Sequence, residues 1–220
     1  MVSFTTTLLL GGFCFMTFMQ CTIAGHIDKQ TPLGVPWKGE PVTISKKIYD
    51  SKKIDFLPHE NWLGMELDYQ YILPIVKALN TTEEPLLTRG ESHITVITPP
   101  EFDILAKANV TIEEINKIAI DYKIQSTPFK MQCLGKESVQ VENELYIVYQ
   151  ILVNAPNLET IREALFKLYV NKGGNSALFD PQAFWPHITV AFTIGDLFES
   201  NGVYKGLNVC HSPLKITRHE

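Results

Sequence analysis

His93-Ile94-Thr95-Val96 and His187-Ile188-Thr189-Val190 are one four-residue word written twice. Each copy is short and β-branched, and Pro99-Pro100 stops the first, so both read as strands. The chain has six histidines, and each copy begins with one of them. The flanking sequence echoes as well. Before the first copy, Tyr71, Ile72, Ile75, Val76 and Leu79 have helical spacing over residues 68–79, with Asp68 as a cap and Pro74 starting or kinking the helix. After it, Thr111 and Glu114 form a capping box ahead of Ile112, Ile115 and Ala119. Residues 129–134 and 145–153 read as strands. Asn157 is placed to cap a helix with Leu158, Ile161, Leu165 and Leu168 on its apolar side, ended by Gly173-Gly174. Residues 187–193 read as another strand, with weaker ones at 203–210 and 214–217. The order is strand, helix, strand, twice over. It predicts an α+β chain of two similar lobes, each pairing a small sheet with helices.

Side chains alternate along a strand, so His93 and Thr95 share one face while Ile94 and Val96 take the other. The second copy divides in the same way. Lobes packed about a rough two-fold axis present both His-Thr pairs to one cleft. Two imidazoles across a cleft suit acid–base chemistry at a phosphodiester, because histidine holds both protonation forms near neutral pH. One neutral ring takes a proton from water, and one charged ring gives a proton to the leaving oxygen. The threonine hydroxyls are placed to hydrogen-bond the non-bridging phosphate oxygens. Which histidine is the acid stays open. No cofactor is expected. Nor is a metal: each motif offers one histidine, no Cys-x-x-Cys or His-Glu-x-x-His is present, and zinc takes three or four protein ligands.

The rest of the chain sets the context. Its 220 residues are 45% hydrophobic and 20% charged, an ordinary globular composition. The net charge of -5 argues against a wide polyanion footprint, though not against a pocket for one phosphate. Residues 1–25 lack Lys, Arg, Asp and Glu and carry an apolar run, which predicts a secretory signal peptide, with an uncleaved anchor as the alternative. Residues 26–59 begin rich in Gly and Pro and are expected as an extended arm. The domain proper is placed at 60–220. Asn80 and Asn109 head glycosylation sequons. Cys133 and Cys210 remain after signal removal and form either one disulfide or two buried thiols. The expectation is a secreted monomer, not held at a membrane once the signal is gone.

The paired motifs resemble the His-x-Thr/Ser-x pairs of the 2H phosphoesterase superfamily, which includes RNA 2',3'-cyclic phosphodiesterases once called 2',5' RNA ligases. Pro186 before His187 and the separation of the two copies are usual for that group. Gly90-Glu91-Ser92-His93 with Pro99-Pro100-Glu101-Phe102, then Phe192-Thr193, Asp196 and Gly202-Val203, resemble its fungal Swiss army knife branch. The resemblance implies the two-lobed 2H fold, a pseudo-two-fold pair of small antiparallel sheets with helices outside and a central cleft. It implies catalytic roles for His93 and His187 and phosphate-holding roles for Thr95 and Thr189. The implied substrate is a 2',3'-cyclic phosphate on a small nucleotide or short RNA end. Cleavage of 2',5'-linked oligonucleotides and nucleotide binding without turnover are the alternatives. Retention of both His-Thr pairs speaks against the binder.

Further candidates for substrate contact are Arg89, four residues before the first motif, Lys205 after the second, and the aromatics Trp185 and Tyr149. Phe184 and Tyr146 compete with the last two. His59 and the other unpaired histidines are expected on the surface or in loops.

Overall fold

The computed structural model describes residues 36–197, 201, 203 and 205–218. The expected signal segment and the first part of the arm lie outside them. Strands β1 (Val42–Ser45), β2 (Leu63–Leu67), β3 (Ser92–Ile97), β4 (Lys130–Val141), β5 (Glu144–Asn154), β6 (His187–Phe192), β7 (Cys210–Ser212) and β8 (Leu214–Thr217) combine with helices α1 (Leu73–Leu79), α2 (Pro99–Lys107), α3 (Ile112–Asp121) and α4 (Pro156–Asn171). The class is α+β. Six strands form one antiparallel sheet in the order β2-β3-β6-β5-β4-β7, and β1 pairs with β8 in a small parallel sheet.

The two small sheets expected from the sequence are therefore continuous. They join where β3 pairs with β6 through Ile94 and Ile188. These are equivalent positions of the two motifs, so a local two-fold relates the copies at that pair. Ile94, Val96, Ile188 and Val190 point to the apolar face and are at most 2% exposed. There α1 packs on β6 and α4 on β3.

Local chemistry explains most element ends. Thr98 accepts a hydrogen bond from the Glu101 backbone, and the Glu101 carboxylate accepts from the Thr98 backbone. Pro99 and Pro100 fit the first turn of α2, where the missing N–H costs nothing. The proline pair thus ends β3 and also begins a helix that the sequence reading left out. The second capping box forms as expected, Thr111 with Glu114. In α1, Pro74 sits in the first turn, and Asp68 caps the short 3-10 turn ahead of it.

Several expectations need correction. Ala155, not Asn157, is the N-cap of α4, because the helix opens at Pro156, two residues earlier than an Asn157 cap would set it. Residues 207–209 form a 3-10 turn, and the strand begins only at Cys210. The described part of the arm is not merely extended: β1 pairs with β8, and Ile44 and Ile48 are buried in the core. Cys133 of β4 and Cys210 of β7 form a disulfide, with Cα atoms 5.7 Å apart. Among the described residues no helix is long and apolar enough to cross a membrane.

Candidate active site

The Ile94–Ile188 register, continued one residue each way, sets His93 across from Thr189 and His187 across from Thr95. Both histidines are nearly buried, at 7% and 8% exposure. A cleft of about 470 Å³, its open mouth included, is lined by His93, Thr95, His187, Arg89, Asp196 and Lys205, with Trp62 in its wall. Thr189 stands one step back, its hydroxyl 3.5 Å from Asp196 Oδ2.

The two rings are held differently. His187 Nδ1 lies 2.7 Å from the Trp185 carbonyl. A carbonyl only accepts, so the proton sits on Nδ1 and the Nε2 lone pair faces the cleft. Lys205 Nζ donates to that lone pair at 3.2 Å and to Asp196 Oδ1 at 3.1 Å. Asp196 Oδ2 accepts from Arg89 Nη2 at 3.1 Å. One buried carboxylate therefore positions two cations over the cleft. Val148, Leu197 and Val203 form a small apolar cluster that anchors its segment to the sheet.

Among the described residues His93 Nδ1 has no hydrogen-bond partner, and the Glu91 carboxylate lies with Oε1 3.8 Å from it. Packing holds this ring instead. The Trp62 indole lies 4.3 Å from it, and His59 stacks on Trp62 at 3.5 Å. His59 Nε2 meets Glu66 Oε1 at 2.9 Å, and Glu66 is the β2 partner of His93. Trp62 fits because Gly64 has no side chain: a Cβ there would come within 2.5 Å of the indole.

Burial and then Lys205 push His187 down to about 3. Burial, then Arg89 and His59, push His93 down to about 4. Asp196 is pushed up by burial, but Lys205, His187 and Arg89 outweigh this and hold it below the usual carboxylate range. The resting cleft thus contains two neutral imidazoles and two cations sharing one carboxylate.

The structure brings His93, His187, Thr95, Arg89 and Lys205 together. Trp185 lies in an adjoining recess with Phe184, beside His187. Phe184 packs on the Arg162 guanidinium at 4.9 Å. Tyr149 is corrected. It shares the apolar sheet face with Ile151, is 6% exposed, and donates its hydroxyl to Glu84 Oε1 at 2.5 Å, so it does not face the cleft. His59 is corrected too, from surface or loop to the packed stack behind His93. Sequence reasoning missed Trp62, Glu66 and this role of His59, and it met Asp196 only through resemblance. A lone aromatic or carboxylate carries no period, and nothing in the second motif echoes the stack. Asn80 and Asn109 are exposed. Among the described residues no group of three or more His, Cys, Asp or Glu is placed to hold a metal ion.

A pair of motif-borne histidines on adjoining strands, facing one cationic cleft, defines a two-histidine phosphoesterase. The family model for the Swiss Army Knife 2H phosphoesterase domain matches residues 61–198. The chain belongs to that family, and a phosphodiesterase-type activity goes with it. Compared with the curated proteins and with the solved structures, the chain has no significant match.

Proposed function

We propose that this protein is a metal-independent phosphodiesterase that opens a 2',3'-cyclic phosphate on a nucleotide or short RNA end. The observation that carries this reading is the cleft itself: two histidines on one sheet face with Arg89 and Lys205 shared by one Asp196. Two cations against one carboxylate leave a single positive charge, which matches the single negative charge of a phosphodiester. Water adds to phosphorus as one histidine takes its proton. The ring P–O bond breaks as the other histidine protonates the leaving oxygen. Thr95 donates to a non-bridging oxygen. Trp185, in the recess beside the cleft, is placed to contact the sugar or base. The net charge of -5 gives no wide surface for a longer polyanion. We place the enzyme in the secretory pathway as a glycosylated monomer, on its apolar N-terminal run and its sequons. The product is a 2'-phosphate, as the resemblance to the RNA 2',3'-cyclic phosphodiesterases implies.

Incubation of the purified protein with 2',3'-cyclic nucleotides, and with short RNAs ending in a cyclic phosphate, tests this. The expected result is a phosphomonoester by phosphorus NMR, a rate unchanged by EDTA and a bell-shaped pH profile. No turnover of any cyclic phosphate would overturn the reading. A purely 3'-phosphate product would refute the regiochemistry alone.

A further inference from the structure

The cleft does not end at the two histidines. A side recess opens from it at Thr95, Thr98 and His187, which line both, and runs back to Glu101, Phe184 and Trp185. A Cβ on Gly206 would come within 3.2 Å of the Trp185 indole, so this ring is packed against the segment that carries Lys205 and is held beside the cleft. A nucleoside whose phosphate lies between the histidines has this recess next to its base.

The polar groups of the recess are of one kind. Glu101 presents a carboxylate that is 23% exposed. Its Oε2 accepts from the Thr98 backbone at 2.9 Å and from the Thr98 hydroxyl at 3.0 Å. Its Oε1 accepts from Arg162 Nη2 at 2.8 Å and keeps a second acceptor position. The Thr98 hydroxyl gives its proton to Glu101, so toward a ligand it accepts. Arg162 is 1% exposed, and its other hydrogen bonds go to the Val96, Pro181, Asp180 and Ala183 carbonyls. It balances the charge of Glu101, so a phosphate at Thr95 is not repelled, and it is turned to those acceptors rather than to a ligand.

An acceptor-lined recess selects a base edge made of donors. Guanine carries N1–H directly beside its N2 amino group. Adenine and cytosine set a bare ring nitrogen, an acceptor, beside theirs. Uracil has one N3–H between two carbonyls. An acceptor brought against a carboxylate is repelled and is left without the water it gave up. Resting on the phosphodiesterase reading above, we propose that Glu101 and Thr98 form a guanine-binding subsite, so that the preferred substrate carries its cyclic phosphate on guanosine. The N1–H and amino group of the base donate to Glu101 Oε1 and Thr98 Oγ1, and the aromatic wall of Phe184 and Trp185 lines the ring. Glu101 sets specificity and takes no part in bond breaking.

Rates on the four nucleoside 2',3'-cyclic phosphates read the preference directly. For guanosine, kcat/KM should exceed that for the other three by roughly 10–100-fold, the loss expected for one hydrogen bond to a charged group. Inosine 2',3'-cyclic phosphate lacks only the amino group and should fall roughly 2–10-fold below guanosine. The 7-deazaguanosine analogue, altered on the other edge, should match guanosine. Glu101→Gln should shrink the guanosine-to-adenosine ratio by at least tenfold, mainly through KM. A merely structural loss would lower both rates alike and leave the ratio unchanged, which would overturn the role of Glu101. If that variant does not fold, the inosine comparison decides, and equal rates on inosine and guanosine would overturn the subsite. Equal kcat/KM on all four bases would also overturn it and leave the phosphodiesterase reading standing. If no cyclic phosphate is turned over, that reading falls, and calorimetry with guanosine and adenosine 2'-monophosphates tests the subsite alone. Tighter binding of the guanosine nucleotide would support it, and equal binding would overturn it.

Discussion

His93 and His187 were legible because a strand repeats every second residue, so a duplicated His-x-Thr places matching side chains on one face. The duplication does not make the threonines equal. Thr95 lines the cleft, whereas the Thr189 hydroxyl is 3.5 Å from Asp196. A hydrogen bond to a charged group is worth about 1.5–3 kcal/mol. Thr95→Val should therefore cost roughly 10–100-fold in kcat/KM, and Thr189→Val only a few-fold. Steady-state rates on a cyclic nucleotide check this, and equal losses would mean that substrate reaches both hydroxyls. Tyr149 makes the contrast from outside the cleft. Tyr149→Phe removes the bond to the Glu84 carboxylate and should lower stability by about 1.5–3 kcal/mol with kcat/KM unchanged. A lost rate with unchanged stability would return Tyr149 to the substrate. The sequence placed Tyr146 and Tyr149 on opposite faces, but only the packing of β5 decides which face meets the cleft.

At the scale of elements, Arg162 was the least legible and is among the most connected. An arginine on the apolar side of an amphipathic pattern reads as an interruption. Instead it is 1% exposed and donates to the Val96, Pro181, Asp180 and Ala183 carbonyls and to Glu101 Oε1 at 2.8 Å. It ties α4 to the end of β3, to the capped start of α2 and to the segment that leads into β6. Both motif strands are thereby fixed from behind by one side chain. Removing one partner of a buried ion pair costs about 3–5 kcal/mol. Arg162→Ala should lose that much in urea unfolding and impair activity with it. A loss below about 1 kcal/mol would mean that the network adds little to holding these elements. The capping box of α3 was readable because Thr and Glu stand at fixed offsets ahead of an apolar run. The equivalent box of α2 was hidden because its two prolines first read as a stop.

The whole molecule is stabilised by one covalent tie and penalised by its own site. The disulfide spans a sequence separation of 77. In the chain-entropy account a loop of that size is worth about 4.5 kcal/mol. The double variant Cys133→Ala, Cys210→Ala should unfold at lower urea by an amount equivalent to roughly 2–4 kcal/mol. Unchanged stability would mean that the tie constrains nothing in the unfolded chain.

The penalty comes from acid. Folding holds His93 neutral down to about 4 and His187 down to about 3, against an ordinary value of 6.5. Below 6.5 the unfolded chain binds protons that the folded cleft refuses, so stability falls as pH falls. The loss begins near 6.5 and continues until each folded value is reached. Between pH 7 and pH 5 each buried imidazole should cost roughly 2 kcal/mol. Replacing both by glutamine removes the two groups that take up those protons. The variant should then lose much less stability over the same interval than the parent protein, as measured by urea unfolding at the two pH values. Parallel losses in both proteins would show that the imidazoles are already charged in the folded state. The electrostatic basis of the cleft would then be wrong, even with its geometry intact.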